Sequence, residues 1–159
     1  MSLKKLTVLV LLAVLAVAAT AVVQAQTASE IAVARGDLQA NRKAIVAANL
    51  TLNDTEAAAF WPLYDEYRAE VAKIGDKSVQ LITDYATAYS AASLTDVQAM
   101  DLTKGYLEQQ KATIELKQKY LSKFAKVVPG KTAARFFQIE NKLDTVVAVG
   151  IADQIPLVE

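Results

Sequence analysis

The chain has 159 residues, with 17 Lys and Arg against 17 Asp and Glu, no histidine and no cysteine. Absence of His and Cys removes the usual general base, the thiol nucleophile and the standard zinc and copper ligands, so neither catalysis nor a cofactor is expected. Balanced charge argues against a phosphate-binding surface and hence against nucleic acid as a partner.

Lys4 and Lys5 are followed by Leu6 to Val23, a run without a charged residue. This is the n-region and h-region of a signal peptide, and small-residue rules place cleavage after Ala25 in Val23-Gln24-Ala25. The expected destination is the periplasm. An apolar run of 18 residues also sits at the threshold for spanning a bilayer, so a retained anchor is the alternative. No cysteine follows the run, which excludes a lipid-anchored lipoprotein. Loss of residues 1–25 leaves 15 basic residues against 17 acidic ones and a length suited to one domain. Without cysteines, stability has to come from packing.

Residues 26–36 show weak periodicity and read as a flexible lead, and residues 37–159 as a single all-helical domain. Its first helix, from about 37 to 48, carries Leu38, Ile45 and Val46. At Leu52-Asn53-Asp54-Thr55-Glu56 the Asn53 side chain can accept an orphan backbone N–H while Glu56 returns to the N–H of Asn53. After this capping box, Phe60, Tyr64, Tyr67, Val71, Ile74, Ser78, Leu81, Tyr85 and Ala88 recur at steps of four and three. Such a seam winds against a partner helix. Pro62 falls inside this helix, where it deletes a backbone bond and predicts a kink beside Trp61.

Leu94-Thr95-Asp96-Val97-Gln98 forms a fuller capping box after the small polar turn Ser90 to Ser93, and starts a helix running to about Val127. Its predicted inward column is Met100, Leu107, Ile114, Leu121 and Val128. Pro129-Gly130 ends it, and a last helix from Lys131 to about Asp153 aligns Phe136, Ile139, Leu143, Val146 and Gly150 on one face. The tail Ile155-Pro156-Leu157-Val158 reads as extended.

Folding the two long helices about the turn near residue 92 pairs positions at opposite distances from it. Phe60 and Trp61 then meet Phe124, and Tyr64 meets Leu121. The fold expected is therefore a long antiparallel helical hairpin whose open end is closed by an aromatic core, the short N-terminal helix and the C-terminal helix with Phe136 and Phe137. The aromatic stripe reads either as that core or as a binding surface. Between Leu116 and Ile139 stand six basic residues and no acid. Of these, Lys117, Lys119, Lys123 and Lys126 are expected either to pair with Asp54, Glu56, Asp65, Glu66 and Glu70 across the hairpin or to form a protein-binding surface. The remaining carboxylates sit at helical spacing from basic residues, as Asp65 from Arg68 and Glu115 from Lys119, and read as solvated pairs. No closely spaced acidic loop with a glycine suggests calcium, and no metal is expected. Asn49-Leu50-Thr51 and Asn53-Asp54-Thr55 match the glycosylation sequon by chance at a turn that capping explains.

Leu94-Thr95-Asp96-Val97-Gln98 matches the LTxxQ motif, and Leu52 to Glu56 is a variant of it at the other helix start. With the export signal, this resembles the Spy/CpxP family over roughly residues 50–127. The resemblance implies a periplasmic all-helical protein that binds other proteins, as an ATP-independent chaperone for unfolded clients or as a regulatory or structural partner in the envelope, and it implies homodimers. The Phe60 to Tyr64 segment and the helix bearing Arg135-Phe136-Phe137 are not parts of that family pattern. Metal-sensing relatives use His and Met sites, and this chain has no His.

Overall fold

In a computed structural model of the chain, residues 41–158 are described. The expected signal peptide, the expected flexible lead and the first residues of the expected first helix lie outside them. The chain divides into two compact units, Met1–Ile45 and Val46–Glu159. Helix α1 occupies residues 41–49, so the division falls within it. The second unit continues with α2 (Asp54–Ser90), α3 (Asp96–Phe124) and α4 (Gly130–Ala152). No strand occurs among the described residues, and no described helix is long and apolar enough to cross a membrane. The protein is all-α, as its periodicities predict.

Local chemistry explains why α2 and α3 start where they do. Asn53 accepts from the Glu56 N–H at 2.9 Å while its own N–H donates to Glu56 Oε2 at 3.0 Å. Thr95 and Gln98 repeat the arrangement at 3.3 and 3.0 Å. Each reciprocal pair satisfies two donors that a helix start otherwise leaves orphaned. Leu52 and Leu94, one residue before each cap, are half-buried, and Leu52 packs against the core. Helix α2 runs through Pro62 without interruption, with the ring exposed, although Pro62 has no N–H to give the Ala58 carbonyl. Between α2 and α3 the chain turns through Ala92, at φ 47° in the left-handed region.

At 37 and 29 residues, α2 and α3 span about 55 and 44 Å. They pair antiparallel, and the aromatic residues gather at their open end. Phe60 lies 5.0 Å from Phe124 between ring centroids, Tyr67 lies 5.2 Å from Tyr120, and Phe136 of α4 lies 4.6 Å from Phe124 and 5.3 Å from Phe60. Val46, Leu50, Leu116, Val128 and Ala133 complete the core. Edge-to-face and tilted rings dominate, the geometries that the aromatic quadrupole favours. Tyr64 packs on Phe60, Trp61 and Phe136, and Leu121 is 46% exposed.

Helix α3 differs from its predicted orientation. Its last regular residue is Phe124 rather than Val127, and of the predicted column Val128, beyond the helix end, is buried, while Met100 is 57% exposed, Leu107 59%, Ile114 56% and Leu121 46%. The face turned to α2 holds Leu102, Gly105, Gln109, Ala112, Leu116, Tyr120 and Phe124. Leu116, Tyr120 and Phe124, one turn apart and anchored in the core, set the rotation. An α-helix drifts about 20° per heptad against a seven-residue column. The column therefore starts at the margin of the interface at Leu121 and is outside it at Met100.

Helix α4 keeps its predicted face at Phe136, Ile139 and Leu143 and departs from it at Val146 and Gly150. Ala133, Phe136 and Glu140 are buried and Leu143 and Val147 half-buried, whereas Val146 is 70% exposed and Gly150 is exposed. After closing the open end, α4 runs alongside the hairpin in the direction of α2. Glu140 contacts Arg68, and in the tail the Pro156 carbonyl accepts from the Tyr85 hydroxyl at 2.8 Å.

Candidate functional site

The four lysines proposed from sequence as a surface divide by role. Lys123 donates to Glu66 at 2.6 Å and lies 4.6 Å from the centroid of Tyr120, whose hydroxyl donates to the same carboxylate oxygen at 2.8 Å. Those hydrogen bonds, Lys123 first and Tyr120 second, hold the Glu66 carboxyl below the ordinary glutamate range. Burial, then the Glu66 hydrogen bond, push the Tyr120 phenol up to about 12. This cluster ties α2 to α3. Lys117 donates to Asp144 at 2.8 Å and so ties α3 to α4, rather than reaching the acids of α2. Lys119, with its Nζ 5.5 Å from the Tyr120 ring, and Lys126 are exposed. Lys117 and Lys123 are structural ties; Lys119 and Lys126 remain on the surface.

Arg68 reaches across to Glu140 at 3.1 Å, and Glu115 lies 3.8 Å from Lys111. The Arg68–Glu140 pair, with side chains 17% and 0% exposed, had no local signal in sequence because its partners are 72 positions apart. Glu70 pairs with Lys73 at 2.7 Å, and that hydrogen bond lowers its carboxyl pKa. The six motif residues act as helix starts at opposite ends of the hairpin: Leu52, Asn53 and Glu56 beside the aromatic core, and Leu94, Thr95 and Gln98 at its tip.

The outward edge of α3 is the surface that sequence reasoning assigned to the interior. Met100, Leu107, Ile114 and Leu121 form an apolar column about 32 Å long, and Val97 lies one turn before it. Lys104 and Lys111 stand in the adjoining column, and each is paired along the helix, with Asp101 at 3.0 Å and Glu115 at 3.8 Å. Charge along this edge is therefore locally neutralised, leaving the apolar side chains as its distinguishing feature. Exposed apolar side chains thus recur about every two turns along this edge of α3.

A concavity of about 310 Å³ lies between α2 and α3, with Ile74, Lys77, Leu81, Gly105, Glu108 and Ala112 among its lining. A Cβ on Gly105 would meet Leu81 Cδ2 at 2.8 Å, so any larger residue there would need the Leu81 side chain to shift. The described residues contain no group of three or more acidic residues placed to hold a metal ion. Compared with family models, curated proteins and solved structures, the chain gives no match.

Proposed function

We propose that this is an exported, periplasmic, ATP-independent chaperone-like protein that holds unfolded or envelope proteins on the outward edge of α3. The observation that carries this reading is the exposed column Met100, Leu107, Ile114 and Leu121. Methionine and leucine side chains adapt to different apolar partners, as promiscuous binding surfaces require. The N-terminal export signature and the two LTxxQ-like helix starts, which resemble the Spy/CpxP family, support the same reading. Lys119 and Lys126, exposed toward the open end of the hairpin, add a basic flank that favours acidic clients.

A dedicated regulatory or structural partner in the envelope is the competing reading. Stable interfaces engage roughly 20–30 residues a side. Four apolar side chains in a single column suit weak, repeated holding better than one permanent complex.

The test is suppression of aggregation of a chemically unfolded model protein by residues 26–159, without nucleotide, at substoichiometric to equal ratios and two salt concentrations. Protection is expected from the parent chain and much less from the Leu107→Ser/Ile114→Ser variant. Absence of protection at every ratio overturns the chaperone-like reading and directs the search, by crosslinking, to a single envelope partner.

A further inference from the structure

The groove between α2 and α3 has an apolar stretch at each end and a polar belt across its middle. Leu81 against Gly105, like Tyr67 against Tyr120, fixes one antiparallel register for the hairpin. In that register Ile74 is level with Ala112 at one end of the groove and Leu81 with Gly105 at the other, two turns or about 10 Å away. All four are half-buried. Midway between them Lys77 of α2 stands level with Gln109 and close to the level of Glu108 on α3. Lys77 and Glu108 are exposed, and among the described residues neither side chain has an ion pair or hydrogen bond; the Gln109 carboxamide is likewise uncommitted. Opposite charges thus line the two sides of the groove without closing it. Helix α4 leaves it open, because Lys117, which reaches Asp144, lies half a turn round α3 from Glu108.

We infer that this groove binds a short extended stretch of polypeptide with apolar side chains at alternate positions, one in each end of the groove, and the peptide groups between them at the polar belt. In an extended chain alternate side chains point the same way about 6.6 Å apart, a spacing that two subsites within a groove about 10 Å long accommodate. Lys77 only donates, Glu108 only accepts and Gln109 does both, so the belt complements the carbonyl and the N–H of a peptide group. Other ligands complement it in part. A fatty acid has no donor for Glu108, and a free apolar amino acid serves both charges but fills one end alone. The volume of about 310 Å³ stands at the small end of ligand sites, which suits a few residues of chain and not a folded partner. The residues of this site are distinct from the outward column of α3, and here the pattern of side chains, not apolarity alone, decides what is held.

Titration of isotope-labelled residues 26–159 with the capped peptide N-acetyl-Leu-Ser-Leu-amide, followed in the backbone amide spectrum, tests the site. Saturable shifts are expected at Ile74, Lys77, Leu81, Gly105, Glu108 and Ala112. N-acetyl-Leu-Ser-Ala-amide is expected to bind about tenfold more weakly, because one end of the groove then keeps its water. Ala112→Leu fills that end and is expected to abolish binding. Lys77→Ala/Glu108→Ala changes two exposed positions that the fold does not use, and is expected to weaken binding about fivefold. Shifts along Met100, Leu107 and Ile114 instead, no saturable shifts, or unaltered affinity in either variant overturns the groove as the site. Leucine or decanoate binding there as tightly as the peptide overturns the polypeptide as its ligand, and equal binding of the two capped peptides overturns the paired pattern. Protection of an unfolded client by the same chain, in the assay above, decides the chaperone-like reading separately, whichever way the titration falls.

Discussion

Replacing the two members of the Arg68–Glu140 pair, singly and together, separates the worth of a buried ion pair from the cost of leaving half of it behind. The Glu140 side chain has no exposure and that of Arg68 17%. Arg68→Met takes the guanidinium from a carboxylate that has no solvent exposure, so its loss is expected within the roughly 3–5 kcal/mol typical of breaking a buried pair. Glu140→Leu leaves a guanidinium that can turn toward solvent, which puts it at the lower end. The double variant removes both charges of the pair. It is expected to be less destabilised than the sum of the two single variants. The pair is thus strongly non-additive, with a coupling far larger than the few tenths expected of independent sites. Urea unfolding followed by far-ultraviolet circular dichroism measures all four proteins. The fluorescence of Trp61, the sole tryptophan, 5.1 Å from Phe60, reports the same transition from inside the aromatic cluster. Coincidence of the two signals establishes two-state behaviour, without which the cycle has no meaning. Additive single effects, or a double variant as unstable as their sum, would refute the reasoning.

Leu107→Ser and Ile114→Ser are each expected to change stability by no more than about 0.5 kcal/mol, whereas Leu116→Ala, at a buried position, is expected to cost about 2–5 kcal/mol; thermal unfolding distinguishes the outward from the inward rotation of α3. Glu66 has a lowered pKa in the folded chain, so its contribution is present above its ordinary value near 4.5 and is lost as pH falls through the lowered value. The stability difference between the parent and Glu66→Gln should therefore narrow progressively in acid below pH 4.5; a constant difference down to the lowest pH would count against the Lys123 and Tyr120 hydrogen bonds as its source. Ala92→Gly relieves a left-handed residue in the hairpin turn and is expected to stabilise by about 1 kcal/mol, read as a higher urea midpoint with unchanged slope.

Both capping boxes were legible because a cap is a local device: Asn53 with Glu56 and Thr95 with Gln98 act across three residues, so adjacency in sequence is adjacency in space. The hairpin and its aromatic end were legible for a related reason. Once the turn is located, two long helices have one antiparallel register that brings Phe60 to Phe124. Arg68–Glu140 and Lys117–Asp144 were not, because the path of α4 along the hairpin depends on packing and leaves no periodic mark.

The rotation of α3 is the informative failure, because the cue that misled is the cue that now carries function. A hydrophobicity pattern selects the most apolar column, and in α3 that is Met100, Leu107, Ile114 and Leu121. Close approach of two helices demands something else, namely small side chains where the backbones come together. Gly105 and Ala112 meet that demand, with Leu81 filling the space a Cβ at Gly105 would need. The rotation that brings Leu116, Tyr120 and Phe124 into the core brings these small residues toward α2 as well, so the ring cluster and the close crossing agree on one orientation. The more apolar column is then left in water, beyond what the fold needs for its own core. For an apolar column that the core does not use, the binding of other polypeptides is the explanation proposed.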